Sequence, residues 1–213
     1  MIFFARKKVG MKNCTLSYND FEHGKSGIWY DPPPDPQDLV NDWITKDKII
    51  IDEYVWPRRE NCKVIEKALQ LVREQKPNIY IALWINPFTS KRALKRMAPN
   101  VDLFIEEMYF PWKSNFMLFW FIKFNYIRMK NAKVAHRSIF GLGINEVIKW
   151  DFCKIKQAND KWSTMPWAST EKRLRKQISY IKKKCKLNPG VGFFNIDSGP
   201  TSLLADKIAG EYF

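Results

Sequence analysis

Residues 48–54 read KIIIDEY: three isoleucines in a row, then two acids. Isoleucine is β-branched and favours extended backbone. Successive strand residues point to opposite faces, so an unbroken apolar run belongs to a strand covered on both sides. Parallel sheets clothed by helices meet that condition. Outward from this stretch, helical and extended patterns alternate. Residues 61–75 (NCKVIEKALQLVREQ) place Val64, Ala68, Leu71 and Val72 at helical spacing, and Pro77 ends the helix. Residues 78–85 (NIYIALWI) form the next expected strand. A short helix follows at 89–97, with Thr89 or Ser90 as its cap and Pro99 as its stop. Further strands are expected at 101–109 (VDLFIEEMY), 138–144 (SIFGLGI) and 191–196 (VGFFNI). Further helices are expected at 116–130, 170–185 and 201–212.

Strands that alternate with helices pair in parallel through right-handed crossovers. The expected fold is therefore α/β, of the (β/α) TIM-barrel kind. Upstream, residues 15–18 and 27–30 can each add a strand, and 38–44 a helix behind the stiff DPPPDP loop at 31–36. That makes six or seven strands, short of eight. A complete barrel takes about 250 residues and this chain has 213, so an incomplete barrel is expected. All of 1–213 reads as one (β/α)-barrel domain whose N-terminal part is truncated. The main rival is a doubly wound open sheet. It would normally offer a glycine-rich phosphate turn, and no strand here is followed by GxGxxG or GxxxxGK[ST].

The strand ends carry the chemical signal. Ile51 is followed by Asp52, Ile85 by Asn86, Ile105 by Glu106, Ile144 by Asn145 and Ile196 by Asp197. Two of these ends carry acid pairs, Asp52-Glu53 and Glu106-Glu107. In a parallel sheet the carboxyl ends share one edge, where barrel enzymes place their sites. Asn and Asp also mark ordinary turns. Glu does so poorly, and two adjacent acids repel each other, so a functional reading is preferred. Aromatic residues gather at the same ends: Trp56, Trp84, Tyr109 and Trp112. Rings beside carboxylates and amides suit a sugar, whose C–H face packs on the ring while its hydroxyls bond to Asp, Glu and Asn. Glycoside hydrolysis needs two carboxyl groups, one to protonate the leaving oxygen and one to act as nucleophile or to activate water. Glu53, supported by Asp52, and Glu106 or Glu107 can fill these roles. Trp56, Trp84, Asn86, Tyr109, Trp112, Asn145 and Asp197 are the expected substrate-binding residues.

The segment IDEYVWP at 51–57, the helix after it, the strand IYIALW at 79–84 and VDLFIEEMYF at 101–110 together resemble the glycoside-hydrolase-like barrel superfamily. The resemblance is one of pattern and spans roughly residues 27 to 213. It implies a TIM-barrel fold and a carbohydrate ligand. It also implies that Glu53 supplies the acid, with Asp52 in support and Glu106 or Glu107 as partner.

Other features narrow the field. Cysteines 14, 62, 153 and 185 form no CxxC pair, and His23 and His136 are too few for a histidine-based metal site. No GxSxG nucleophile turn occurs. Neither a metal nor a cofactor is expected. The net charge of +14 suggests anionic partners, but the basic residues are spread along the chain and read mostly as a solvated surface. Aromatics that follow acids argue against nucleic acid, because acids repel phosphate, and DNA binding is not expected. The apolar stretch 116–127 (FMLFWFIKFNYI) is too short to span a membrane, which takes about 20 residues. It reads as a helix buried on most sides, with a homodimer or membrane contact as the alternative. The start, MIFFARKKVG, is too short for a signal peptide's core, and the sequence assigns no compartment. Besides the glycosidase, the sequence admits a non-catalytic carbohydrate-binding barrel and an anionic-surface binder.

Overall fold

Each of the apolar runs from residue 48 onward pairs with the next. In the computed structural model, described for residues 2–5, 14–17, 22–24, 34–54, 59–108, 115–143, 171–187, 190–194, 207–208 and 211, the chain opens with β1 (Ile2–Ala5), β2 (Cys14–Ser17) and β3 (Glu22–Gly24). There follow α1 (Pro36–Trp43), β4 (Lys48–Tyr54), α2 (Arg59–Gln75), β5 (Tyr80–Ile85), α3 (Lys91–Met97) and β6 (Leu103–Glu107). The chain continues through α4 (Asn115–Asn131), a 3₁₀ turn (Ala135–Arg137), β7 (Ser138–Gly143), α5 (Glu171–Lys184) and β8 (Gly190–Phe194). Residues 207–208 and 211 are helical. The expected strand at 27–30 lies outside the described residues, as does most of the expected helix at 201–212.

The sheet order is β2-β1-β8-β7-β6-β5-β4-β3. From β3 to β8 every pairing is parallel and between chain neighbours, which is barrel order and not the reversing order of a doubly wound sheet. β1 runs antiparallel to both β8 and β2, so β2 points the same way as β3. Four residues separate these two edge strands. From Ser17 to Glu22 the chain reaches at most about 18 Å, whereas the edges of a flat eight-stranded sheet lie about 34 Å apart. The sheet is therefore rolled. β1 and β3, of four and three residues, are additions that the sequence pattern missed.

Alternation along the strands makes two apolar layers. Ile50, Ala82, Trp84, Leu103, Ile105 and Ile139 form the inner cluster. Ile49, Ile51, Ile81, Leu83, Ile85, Phe104, Phe140, Leu142, Val191 and Phe193 face outward and pack with the helices. The helices meet them with apolar stripes: Leu39, Val40 and Trp43 from α1, Ile65, Leu69 and Val72 from α2, and Leu174, Ile178 and Ile181 from α5. Asp35 caps α1 by accepting from the Gln37 N–H at 2.7 Å, and Ser90 caps α3 by accepting from the Ala93 N–H.

Trp84 fills the inside of the rolled sheet. It is 3% exposed, and its ring lies against Gly141, where an added Cβ would come within 2.6 Å of Cζ3. Gly141 pairs with Gly192 of β8, so two neighbouring strands leave their inner positions empty where the indole sits. Gly141→Ala should therefore cost about 1–3 kcal/mol in chemical denaturation. In a Trp84→Leu background the same change should cost less than half as much, a coupling that a double-mutant cycle reads directly.

Candidate functional site

The carboxyl ends of β4, β5 and β6 lie side by side. Tyr54 pairs with Ile85 and Ile85 with Glu106, so the Asp52-Glu53 and Glu106-Glu107 pairs stand at one edge, on strands separated only by β5. The register between β4 and β5 shifts between Ile51 and Tyr54, across the acid pair. A shift of that kind bends a strand locally.

On β6 the register is regular, and it separates the two glutamates. Glu106 pairs with Ile85 and Phe140, both members of the outer layer, so its carboxylate lies on the helix side. It is fully buried there, and both oxygens accept from Arg128 Nη2 of α4 at 2.5 Å. The other Arg128 amine, Nη1, donates to the Thr89 carbonyl at 2.7 Å and to the Pro87 carbonyl. Burial raises the Glu106 carboxyl from 4.5 to about 7, against the opposing pull of the charge and hydrogen bonds of Arg128. Glu106 was expected, with Glu107 as the other choice, to be the carboxylate partner of Glu53; the arginine clamp holds its carboxylate between sheet and helix. Glu107, one residue on, has the parity of Leu103 and Ile105 and pairs with Gly141. It faces the inside of the roll and is half-buried.

At the end of β5 the structure assigns two expected site residues to local structure. Asn86 Oδ1 accepts from the Phe88 N–H at 2.9 Å, and its carbonyl accepts from the Thr89 N–H at 2.8 Å. That is the Asx turn in which asparagine is common. Trp84 lies beneath this level as the floor of the mouth, its ring covered. Trp56, Tyr109, Trp112, Asn145 and Asp197 lie outside the described residues. The residue that sequence reasoning missed is Arg128. Its signal was an arginine in a largely apolar helix, where a buried cation needs a buried anion. Among the described residues, no group of three His, Cys, Asp or Glu side chains is arranged to hold a metal ion.

The fold matches solved structures. The catalytic domain of a hyperthermophilic chitinase from Pyrococcus furiosus superposes with a TM-score of 0.56 at 11% identity, over 84% of this chain and 67% of that one. Catalytic-site mutants of active domain 2 of a thermostable chitinase from the same organism, complexed with chito-oligosaccharides, give 0.52 at 12% identity, over 76% of this chain and 56% of that one. The likeness is one of fold, a (β/α) barrel, and this chain spans only about half to two thirds of the length of those domains. No protein-family model and no curated protein sequence matches it.

Removing Arg128 strands a buried carboxylate, so Arg128→Met should cost about 3–5 kcal/mol in urea unfolding at neutral pH. Glu106 also ties stability to pH. Between 4.5 and about 7 the folded chain holds a proton that the unfolded chain has released. This contribution to unfolding free energy is therefore full below 4.5, falls as pH rises through about 7, and is level above. Glu106→Gln lacks it. Unfolding curves at about pH 5 and about pH 8 should show the parent losing ground to Glu106→Gln as pH rises.

Proposed function

We propose that this chain is a glycoside hydrolase that works with a pair of carboxylates, Glu53 from the end of β4 and Glu107 from the end of β6. The observation that carries the reading is the register line Tyr54–Ile85–Glu106. It sets two acid-bearing strand ends level at one edge of a parallel sheet, with a single strand between them. The two backbones are then about 10 Å apart. Carboxylates that reach inward from there span either about 5 Å, for retention, or about 6.5–9.5 Å, for inversion. Glu53 is the general acid and Asp52 supports it. Glu107 takes the role of nucleophile or base, since Arg128 already engages Glu106.

The remaining expected residues fit a carbohydrate. Trp56, Tyr109 and Trp112 supply rings for the sugar faces, and Asn145 and Asp197 orient hydroxyls. Trp84 closes the floor below. The chitinase domains that share the fold make chito-oligosaccharides the first ligands to try, ahead of other β-linked sugars.

Aryl glycosides and chito-oligosaccharides test the assignment. Glu53→Gln and Glu107→Gln should each lower kcat by at least about 100-fold with little change in sugar affinity, whereas Glu106→Gln should act mainly on stability. Full turnover by Glu53→Gln would remove it as the acid. A parent that binds sugar and turns nothing over would establish the non-catalytic carbohydrate-binding barrel instead.

A further inference from the structure

Helix α4 is apolar all the way round, and only half of it is used by the core. Leu118, Phe121, Ile122, Asn125 and Met129 are buried. One flank packs on α5 and the segment after it: Phe119 stacks on Tyr180 with ring centres 4.5 Å apart, and the Tyr126 hydroxyl accepts from the Leu187 N–H. The opposite face is exposed. Phe116 is 74% and Trp120 53% accessible, with Met117, Phe124 and Ile127 beside them. Trp120 and Phe124, one turn apart, stack at 5.6 Å and 15°. At 100° per residue, Phe116, Trp120, Phe124 and Ile127 fall within one narrow arc, so they form a continuous stripe about three turns long. Solvated surfaces seldom carry such a stripe without a partner.

The surroundings of the stripe identify that partner. Lys123 and Lys130 are exposed along its edge. Neither α3 (KRALKRM) nor α4 holds an acidic residue. α5 (EKRLRKQISYIKKK) holds only Glu171, which Arg175 and Lys207 bind. Lys91, Arg92 and Lys95 on one side, and Lys172, Lys176 and Lys183 on the other, are exposed. By contrast, α1 and α2 carry acids. Among the described residues, net positive charge is thus concentrated on the three helices around the aromatic stripe.

We propose that this flank docks the protein on an anionic lipid surface, with Trp120, Phe124 and Phe116 entering the headgroup region and the flanking lysines and arginines meeting lipid phosphates. Aromatic rings with basic residues alongside are the chemistry of interfacial helices. Charge decides against a second copy of the chain, since face-to-face pairing through α4 would oppose like-charged helices. Aliphatic Met117 and Ile127 in the stripe suit acyl chains better than stacked bases. Among the described residues no helix is long and apolar enough to cross a membrane, so the contact lies in the surface plane. Because α4 presents the stripe outward from the ring of helices, docking leaves the strand-end edge open.

Co-sedimentation with phosphatidylcholine vesicles, with and without about 30% phosphatidylserine, tests this in low salt, where the screening length exceeds about 10 Å. The parent should bind the anionic vesicles, bind phosphatidylcholine alone far more weakly, and release at high salt. Trp120→Ser with Phe124→Ser should weaken binding at least tenfold without moving the unfolding midpoint, since both side chains are exposed. Lys123→Glu with Lys130→Glu should weaken it by about fivefold per site or more, and it carries the test if the first variant fails to fold. The proposal is overturned if the parent ignores anionic vesicles or binds neutral ones equally well. It is also overturned if Trp120→Ser with Phe124→Ser binds like the parent. A dimer that this variant dissociates without any vesicle binding would assign the stripe to self-association. An oligonucleotide that binds while vesicles do not would assign it to nucleic acid.

Discussion

The ion pair between Glu106 and Arg128 sets how α4 sits on the sheet. α4 has apolar residues on every side, so its hydrophobicity does not choose which face turns inward. A buried carboxylate at the end of β6 does. Glu106 lies in the outer layer, and two short bonds to Arg128 Nη2 hold α4 at one rotation. The bonds from Arg128 Nη1 to the Pro87 and Thr89 carbonyls tie the same helix to the turn after β5. Such a pair adds little net stability over an apolar replacement, but breaking one partner is costly. Its effect here is on geometry. With α4 locked, Trp120 and Phe124 face solvent, and Glu107 rather than Glu106 is left on the inner side.

A second arginine does comparable work at the opposite edge. Arg73 of α2 donates to the Pro77, Ile79 and Asn100 carbonyls and to Asp102 Oδ2, which in turn accepts from the Ile81 N–H. It joins the end of α2 to the starts of β5 and β6. Planar guanidinium groups suit both places, because one side chain satisfies several carbonyls that would otherwise be buried without a donor. The starts of β5 and β6 are thus tied by Arg73, and the turn after β5 and the end of β6 by Arg128.

The central fold was legible because its signals repeat. Isoleucine runs marked strands buried on both faces, and helical spacing with proline stops marked the helices between them, so β4 to β8 and their parallel order followed from pattern. β1 and β3 were not legible, being runs of only four and three residues. The common edge of the candidate acids was legible, their environments only in part. The strand-end rule located the acids, but it treated Glu106 and Glu107 as equivalent. It did not show that the Asn86 side chain closes a turn, or that Trp84 lies covered against Gly141. The basic residues read as scattered along the sequence, and only the packing of α3, α4 and α5 gathers them on one flank.

The two acid pairs also show where residue counting works and where it stops. Along β6 the ladder to β5 and β7 is continuous from Phe104 to Glu106. Parity then carries from Phe104 and Ile105 to the glutamates, and two adjacent, chemically identical residues receive opposite environments. Along β4 the ladder breaks between Ile51 and Tyr54, so the inward parity of Ile50 does not extend to Asp52 or Glu53 by counting. Irregularities of this kind cluster next to active sites, where they re-aim a side chain that regular alternation would fix. The shift therefore falls where a barrel that used Glu53 would need it. It lies across the acid pair of β4, two strands from the acid pair of β6.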